Sequence, residues 1–321
     1  MHESFIYSIN AVAPIFILAV LGYELNKIKL VSDKFLAVSD RLVFYVSLPA
    51  LLFCEITEAA EGSGGSSAAA LTLFCLAGIL AVFLAALVIV PLTVKGNPQR
   101  GSMVQATFRS NFAILGIPLA QNMFGDAGVQ RLAMTLPFCI ALFNALAVTS
   151  FSMFAPEDKR LSPSAAAKKI AASIAKNPLI ISIVLALAIS LLPIKLPQLI
   201  TKPLGYLGNL TLPLSLISLG AGFSLSALRG SLKLALVATA VKMIIVPVAA
   251  VGAAVALGFR GIDLGVVLIL FGGPSAVSGY IMAKNMGGDH ELTGQITLLT
   301  TFACVFTLFL SVFGLRFAGL I

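Results

Sequence analysis

Long apolar runs separated by short polar loops make up the chain from end to end. Each run reaches the roughly 20 residues that a helix needs to cross the hydrocarbon core of a bilayer. The runs also lack the alternation of apolar and polar positions that is typical of membrane barrel strands. We therefore predict an all-α integral membrane protein with ten transmembrane helices. The predicted spans are residues 5–26, 35–55, 68–94, 102–123, 128–153, 170–192, 198–226, 231–257, 262–284 and 292–317.

The composition supports a membrane protein and excludes several soluble classes. Hydrophobic residues make up 59% of the 321 residues and charged residues only 11%, against about 25% charged in soluble domains. A soluble enzyme, a secreted disulfide scaffold and a disordered protein are excluded. The four cysteines lie in apolar stretches without CxxC spacing, so we interpret them as packing residues and expect neither a cofactor nor a metal site. They are Cys54, Cys75, Cys139 and Cys304.

Basic residues collect on one side of the predicted topology. If the N-terminus lies outside, thirteen of the 21 Lys and Arg residues fall on the cytoplasmic side, five fall on the outer side, and Arg41, Arg109 and Lys242 lie within spans. Since positive residues favour the cytoplasmic side, we predict a multi-pass protein of the cell membrane with both termini outside. The net charge of +8 is explained by this orientation, so the expected partner is the lipid bilayer and no nucleic acid.

The two halves of the chain share sequence anchors at a nearly constant separation. Three pairs recur at offsets of 164, 164 and 163 residues: Pro14 with Pro178, Pro49 with Pro213, and Asn122 with Asn285. Five spans per half is an odd number, so the second half enters from the opposite side and the repeat is inverted. Inverted repeats are typical of secondary transporters. The predicted units are residues 1–155 (spans one to five), a short cytoplasmic loop at 156–169, and residues 170–321 (spans six to ten).

Helix-breaking residues interrupt one predicted span in each half. Span four contains Gly116 and Pro118, and span nine contains Gly273 and Pro274. Proline removes a backbone donor and clashes with the preceding turn, and broken helices at corresponding places indicate the binding site of a transporter. We predict two broken helices that cross near the middle of the membrane, where their free N–H groups attract an anion. The competing interpretation is that these prolines only kink packed helices.

Three of the motifs together resemble the auxin efflux carrier family, which includes plant PIN carriers and bacterial malonate or malate permeases. They are Asn111-Phe-Ala-Ile-Leu-Gly-Ile-Pro-Leu with Phe124-Gly125, Gly273-Pro274-Ser275 followed by Ala283-Lys284, and Arg41-Leu-Val-Phe-Tyr-Val-Ser-Leu-Pro49. The resemblance covers essentially the whole chain. It implies that spans four and nine cross at their prolines, that Asn111 and Asn144 contact a carboxylate substrate, and that the protein is a homodimer.

Other polar residues in the spans are candidate ligands with competing structural roles. Ser275 and Ser278 follow the break in span nine and either donate to a carboxylate or bond back to their own helix. Ser47, two residues before Pro49, is a further candidate, as is its repeat counterpart Thr211. Arg109 either holds an anion or extends to the cytoplasmic surface. Lys242 lies deeper in its span and has no evident acidic partner in the sequence.

The sequence thus predicts a carrier that moves small organic anions, mono- or dicarboxylates, by alternating access. No Asp or Glu lies near the middle of a predicted span, which favours uniport. The alternative is a sodium- or proton-coupled organic-anion symporter of the bile-acid-symporter design. An intramembrane enzyme is not expected, because the sequence contains no HExxH, no GxSxG and no pair of aspartates within a span.

Overall fold

A computed structural model describes residues 2–61, 65–155, 162–176, 178–190, 196–221, 232–276 and 278–321. Across these ranges every regular element is a helix and none is a strand. The all-α prediction is therefore confirmed for the described part of the chain. The segment predicted as a loop at 156–169 is described only from residue 162 onward, and a helix begins there at Pro163.

The described residues form fifteen α-helices and two π-helical turns. In chain order the α-helices are α1 (His2–Lys27), α2 (Asp33–Leu42), α3 (Leu48–Glu61), α4 (Gly65–Thr93), α5 (Asn97–Phe108), α6 (Phe112–Phe154), α7 (Pro163–Ala175), α8 (Pro178–Ser190), α9 (Gln198–Asn209), α10 (Thr211–Ala221), α11 (Leu232–Ala240), α12 (Val246–Ala256), α13 (Gly261–Gly272), α14 (Ser278–Met286) and α15 (His290–Phe317). A π-helical turn at Val43–Ser47 joins α2 to α3, and a second at Val241–Ile245 joins α11 to α12.

Five helical segments of the described chain are long and apolar enough to cross a membrane by length and composition. They are Lys34–Cys54, Ala69–Thr93, Leu115–Phe154, Leu232–Ala256 and His290–Phe317. Predicted span seven is divided between α9 and α10, and predicted span nine between α13 and α14, all of them too short to reach the length of a single spanning helix. Predicted span four is divided between α5 and the first part of the long helix α6. The helical membrane character of the protein is established in this way, and the count of ten spans remains a prediction.

The helix α6 contains the boundary between predicted spans four and five. Its backbone departs from helical geometry at Gly125, where φ is +63° and ψ is −152°. Glycine adopts this positive φ without the steric penalty that a Cβ atom brings. The helix is therefore kinked at Gly125. Nearby, the Tyr7 hydroxyl of α1 donates a hydrogen bond of 2.6 Å to the Met123 carbonyl.

Two pairs of helices from opposite halves of the sequence pack closely. The helix α1 lies against α10, and α3 lies against α8. Gly22 of α1 faces the backbone of Ile217, and Gly220 of α10 faces the backbone of Ala19, so neither glycine leaves room for a Cβ atom. Small residues allow this close approach of helix backbones in membranes.

An ion pair joins α6 to the first turn of α13. Arg131 Nη2 donates to Asp263 Oδ2 at 2.9 Å, and its Nε donates to Oδ1. The two side chains are 15% and 23% exposed, so water screens this two-point contact only in part. Asp263 also places a negative charge near the positive N-terminal end of α13, which is favourable.

Replacing Asp263 with asparagine is expected to lower the free energy of unfolding by about 1–3 kcal/mol, since a charged hydrogen-bonded pair is lost and Arg131 stays half-buried. The chain has no tryptophan, but Cys75, Cys139 and Cys304 are buried, so a thiol-reactive dye reports melting. The matched control is Glu24→Gln, which breaks an exposed pair with Lys27 and is expected to change the melting temperature little. Equal melting temperatures for the two variants would contradict this assignment.

Candidate functional site

The first interruption lies between α5 and α6. The helix α5 ends at Phe108, the chain is non-helical at Arg109, Ser110 and Asn111, and α6 begins at Phe112. The arginine has an extended backbone with φ of −80° and ψ of 128°. The sequence therefore identified the correct span as broken but placed the break about two turns too late.

Gly116 and Pro118, predicted as the crossover of span four, lie buried inside α6, so that placement is wrong. A proline costs the helix one backbone hydrogen bond, and packed neighbours allow the helix to continue past it in a membrane. Gly116 has a different role. A Cβ atom added there would lie 2.9 Å from the Ile269 side chain, so this glycine lets α13 approach α6.

The second interruption lies between α13 and α14. The helix α13 ends at Gly272 and the chain is non-helical from Gly273 to Ala276, which is the position that the sequence predicts. Pro274 has no N–H group to donate to the helix. The Ser275 N–H donates instead to Thr300 Oγ1 of α15 at 3.1 Å. The missing donor at Pro274 and the diverted N–H group of Ser275 together end α13, and the bond to Thr300 anchors the break to a neighbouring helix.

The two interruptions touch each other. The Asn111 N–H donates a hydrogen bond of 2.8 Å to the Pro274 carbonyl. A Cβ atom added to Gly273 would lie 2.5 Å from Ser110 Oγ, which shows how closely the two non-helical segments approach each other. Backbone groups released by one broken helix are thus satisfied by the other, as is required where water is excluded.

Arg109 lies within the protein and does not extend to a surface. It is 7% exposed, and its Nη2 donates to Asn144 Oδ1 at 3.1 Å while its Nη1 lies 2.9 Å from Met282 Sδ. The guanidinium thus connects the second half of α6 to α14. Arg109 and Asn144, two predicted site residues, are brought together, and the amide oxygen of Asn144 is used for the arginine.

Several buried polar atoms beside the breaks have no hydrogen-bond partner within the described part of the chain. They are both amide atoms of Gln105 and the hydroxyl oxygens of Ser110 and Ser275. The Gln105 side chain lies against Gly279 of α14, where an added Cβ atom would meet its Nε2 at 2.5 Å. A buried polar group without a partner costs about 1–3 kcal/mol. These atoms are therefore suited to pair with a bound ligand or with water.

The sequence interpretation missed Gln105, Ser110 and Thr300. Each is a polar residue within a predicted span, and Ser110 directly precedes Asn111. The signal available in the sequence was this group of polar residues within the spans, which an interpretation based on prolines did not use. Lys242 was noted but not assigned a contact. The structure places its Nζ, fully buried, 3.4 Å from the Phe271 carbonyl in the last turn of α13.

The remaining predicted ligands lie elsewhere or are only partly described. Ser47 ends the first π-helical turn, which contacts α10, and Thr211 begins α10. Both are buried, and within the described residues both hydroxyl oxygens are without a partner. The helix α14 begins at Ser278, whose side chain lies outside the described part of the structure.

Comparison with known proteins gives consistent results. The model of a family described as "Membrane transport protein" matches residues 7–312. An uncharacterized transporter of Methanocaldococcus jannaschii is 24% identical over 302 residues, covering 91% of this chain and 94% of the relative. An uncharacterized transporter of Methanothermobacter thermautotrophicus is 25% identical over 300 residues, covering 92% of this chain and 95% of the relative.

Proposed function

The chain belongs to this family of membrane transport proteins, which confirms the resemblance to auxin efflux carriers, and we propose that it carries small organic anions by alternating access. Its relatives are transporters rather than enzymes. The proposed substrates are mono- or dicarboxylates, and the proposed mode is uniport. We place the protein in the cell membrane with both termini outside, and expect a homodimer.

The observation that carries the proposal is the contact between the two breaks. The helices α5 and α13 both end inside the protein, and the segments that follow them are joined by the hydrogen bond from Asn111 to Pro274. This contact brings the N-terminal ends of α6 and α14 to one region. Such ends carry a partial positive charge and free N–H donors. The unpartnered polar atoms of Gln105 and Ser275 add hydrogen-bonding capacity. This combination is suited to a small carboxylate.

The boundaries of the helices support the proposed inverted repeat. The helices α5, Asn97–Phe108, and α13, Gly261–Gly272, begin and end 164 residues apart. The breaks that follow, at residues 109–111 and from residue 273, keep the same separation. The sequence had aligned Pro118 with Pro274, at an offset of 156. Aligning the breaks themselves restores the constant offset of the other anchors.

Packing between the halves supports the same proposal. In the proposed alignment α1 corresponds to the region of α7 and α8, while α2 and α3 correspond to α9 and α10. The helix α1 packs on α10, and α3 packs on α8. Each first element of one half therefore meets the second element of the other half. Exchange of partners in this way is expected of two repeats related by a two-fold axis.

Transport into proteoliposomes tests the proposal. A panel of radiolabelled mono- and dicarboxylates is measured with and without sodium, a pH gradient and an imposed potential, against empty liposomes. We expect saturable movement of at least one acid, driven by potential alone. Movement that requires sodium or protons would favour the coupled symporter instead. No movement of any acid under any condition would contradict the choice of carboxylates.

Replacing Asn111 with alanine is expected to weaken substrate affinity by roughly tenfold to a hundredfold, the effect of losing a hydrogen bond to a charged group. The variant keeps the backbone N–H that bonds Pro274, so its melting temperature is expected to stay near that of the wild type. The control is Asn10→Ala, which removes an exposed amide on α1. Unchanged affinity in Asn111→Ala would exclude this side chain as a ligand.

A further inference from the structure

Lys242 is an ionisable side chain in an environment that normally excludes charge. It lies in the π-helical turn between α11 and α12, near the middle of the apolar helical segment Leu232–Ala256. Its side chain is 0% exposed. No carboxylate of the described residues lies within ion-pair distance of its Nζ. An ionisable residue placed in this way is costly and marks function by default.

The position of Lys242 is related to both broken helices. The π-helical turn Val241–Ile245 packs against α5, α13 and α15. Two of these, α5 and α13, end at the crossing, and the C-terminal end of a helix carries a partial negative charge. The ammonium group thus lies at the negative C-terminal end of α13, in a turn that also packs against α5.

The hydrogen bond made by Lys242 replaces one that the break removes. In an uninterrupted helix the Phe271 carbonyl would accept from the N–H group four residues later, at Ser275. That N–H donates to Thr300 instead. The Lys242 ammonium, a donor with three N–H bonds, lies 3.4 Å from the carbonyl. The lysine therefore satisfies a carbonyl at the C-terminal end of a half-helix.

Such carbonyls have a known use in other transporter architectures. Unwound backbone carbonyls and the C-terminal ends of half-helices are the groups that coordinate sodium in coupled carriers. We propose that the Lys242 ammonium occupies the place of a coupling cation at the end of α13, so that the positive charge is fixed in the protein. This inference rests on the proposed function and gives a physical reason for uniport, because no sodium is needed to hold the break together.

Melting experiments test this without knowledge of the substrate. Full-length Lys242→Ala is purified in detergent, and its melting temperature is measured in sodium, ethylammonium or N-methylglucamine chloride at equal ionic strength. We expect wild type to melt at one temperature in all three salts. We expect the variant to melt about 5 °C lower in N-methylglucamine and to regain at least half of that loss, saturably, in ethylammonium or sodium. The bulky cation cannot enter the space that the side chain leaves.

Two further variants separate charge from volume. Lys233→Ala removes an exposed lysine of α11 and is expected to match wild type in every salt. Lys242→Met removes the charge but fills the space, so it is expected to be destabilised and to gain nothing from small cations. If Lys242→Met is as stable as wild type, or if small cations raise the melting temperature of Lys242→Ala no more than that of Lys233→Ala, the proposal is overturned. Neither result bears on the proposal that the protein transports carboxylates, because that proposal is tested separately by flux measurements in proteoliposomes.

Discussion

Replacing Gly220 with alanine is expected to prevent normal assembly of the helices. A Cβ atom at this position would overlap the carbonyl group of Ala19, and the atoms in its way are backbone atoms that cannot rotate aside. Only separation of α1 from α10 relieves the overlap. We expect a loss of about 3 kcal/mol or more, at the upper end of the cost of overpacking, and a low yield of monodisperse protein on size-exclusion chromatography.

The matched control is Gly252→Ala on α12, where an added Cβ atom meets nothing within 4 Å. Alanine there is expected to raise stability by roughly 0.5–1 kcal/mol, since glycine is unfavourable within a helix. Gly22→Ala places its Cβ atom against the backbone of Ile217 and is expected to behave like Gly220→Ala. A normal yield and melting temperature for Gly220→Ala would show that α1 and α10 do not pack this closely.

The helical membrane character of the described chain followed from the sequence because hydrophobic length alone specifies a helix in lipid. The candidate site lies at the positions where a predicted span is not a continuous helix. Glycine and proline marked the break after Gly272 correctly, because there the proline lies in the interruption itself. The same signal failed at Pro118, which lies within α6, while the true break at Arg109–Asn111 contains neither glycine nor proline.

That first break is specified by tertiary contacts rather than by local preference. Asn111 leaves the helix to donate to Pro274, a residue 163 positions away, and Arg109 is held by Asn144 and Met282. A single sequence shows none of these partners. The same is true of Lys242, whose hydrogen bond depends on Ser275 being diverted to Thr300. The candidate residues Asn111 and Ser275 were nevertheless predicted, since polar side chains beside a break are visible without a structure.

Replacing Gly273 with alanine is expected to reduce the transport rate by roughly tenfold to a hundredfold, equivalent to about 1.4–2.8 kcal/mol. The backbone at Gly273 has φ of −68° and ψ of 150°, which alanine adopts freely, so the effect arises from space alone. The added Cβ atom would lie 2.5 Å from Ser110 Oγ and 2.9 Å from the Ile269 carbonyl oxygen. Gly272→Ala is the matched control, since the nearest neighbours of its Cβ atom would be the side-chain ends of Leu268 and Leu308 at 3.3 Å and Pro247 Cβ at 3.9 Å.

A second substitution identifies which contact is responsible. Ser110→Ala removes the hydroxyl oxygen and leaves the Ser110 Cβ atom 3.9 Å from the added one, an ordinary contact. With Ser110→Ala as the reference, we expect Gly273→Ala to reduce the transport rate by a smaller factor than it does in the wild type, with the Ile269 carbonyl accounting for the remaining loss. Because the two residues lie on different broken helices, such coupling is direct evidence that the breaks meet in the transporting protein. Strictly additive effects, measured as initial rates in proteoliposomes, would show that they do not.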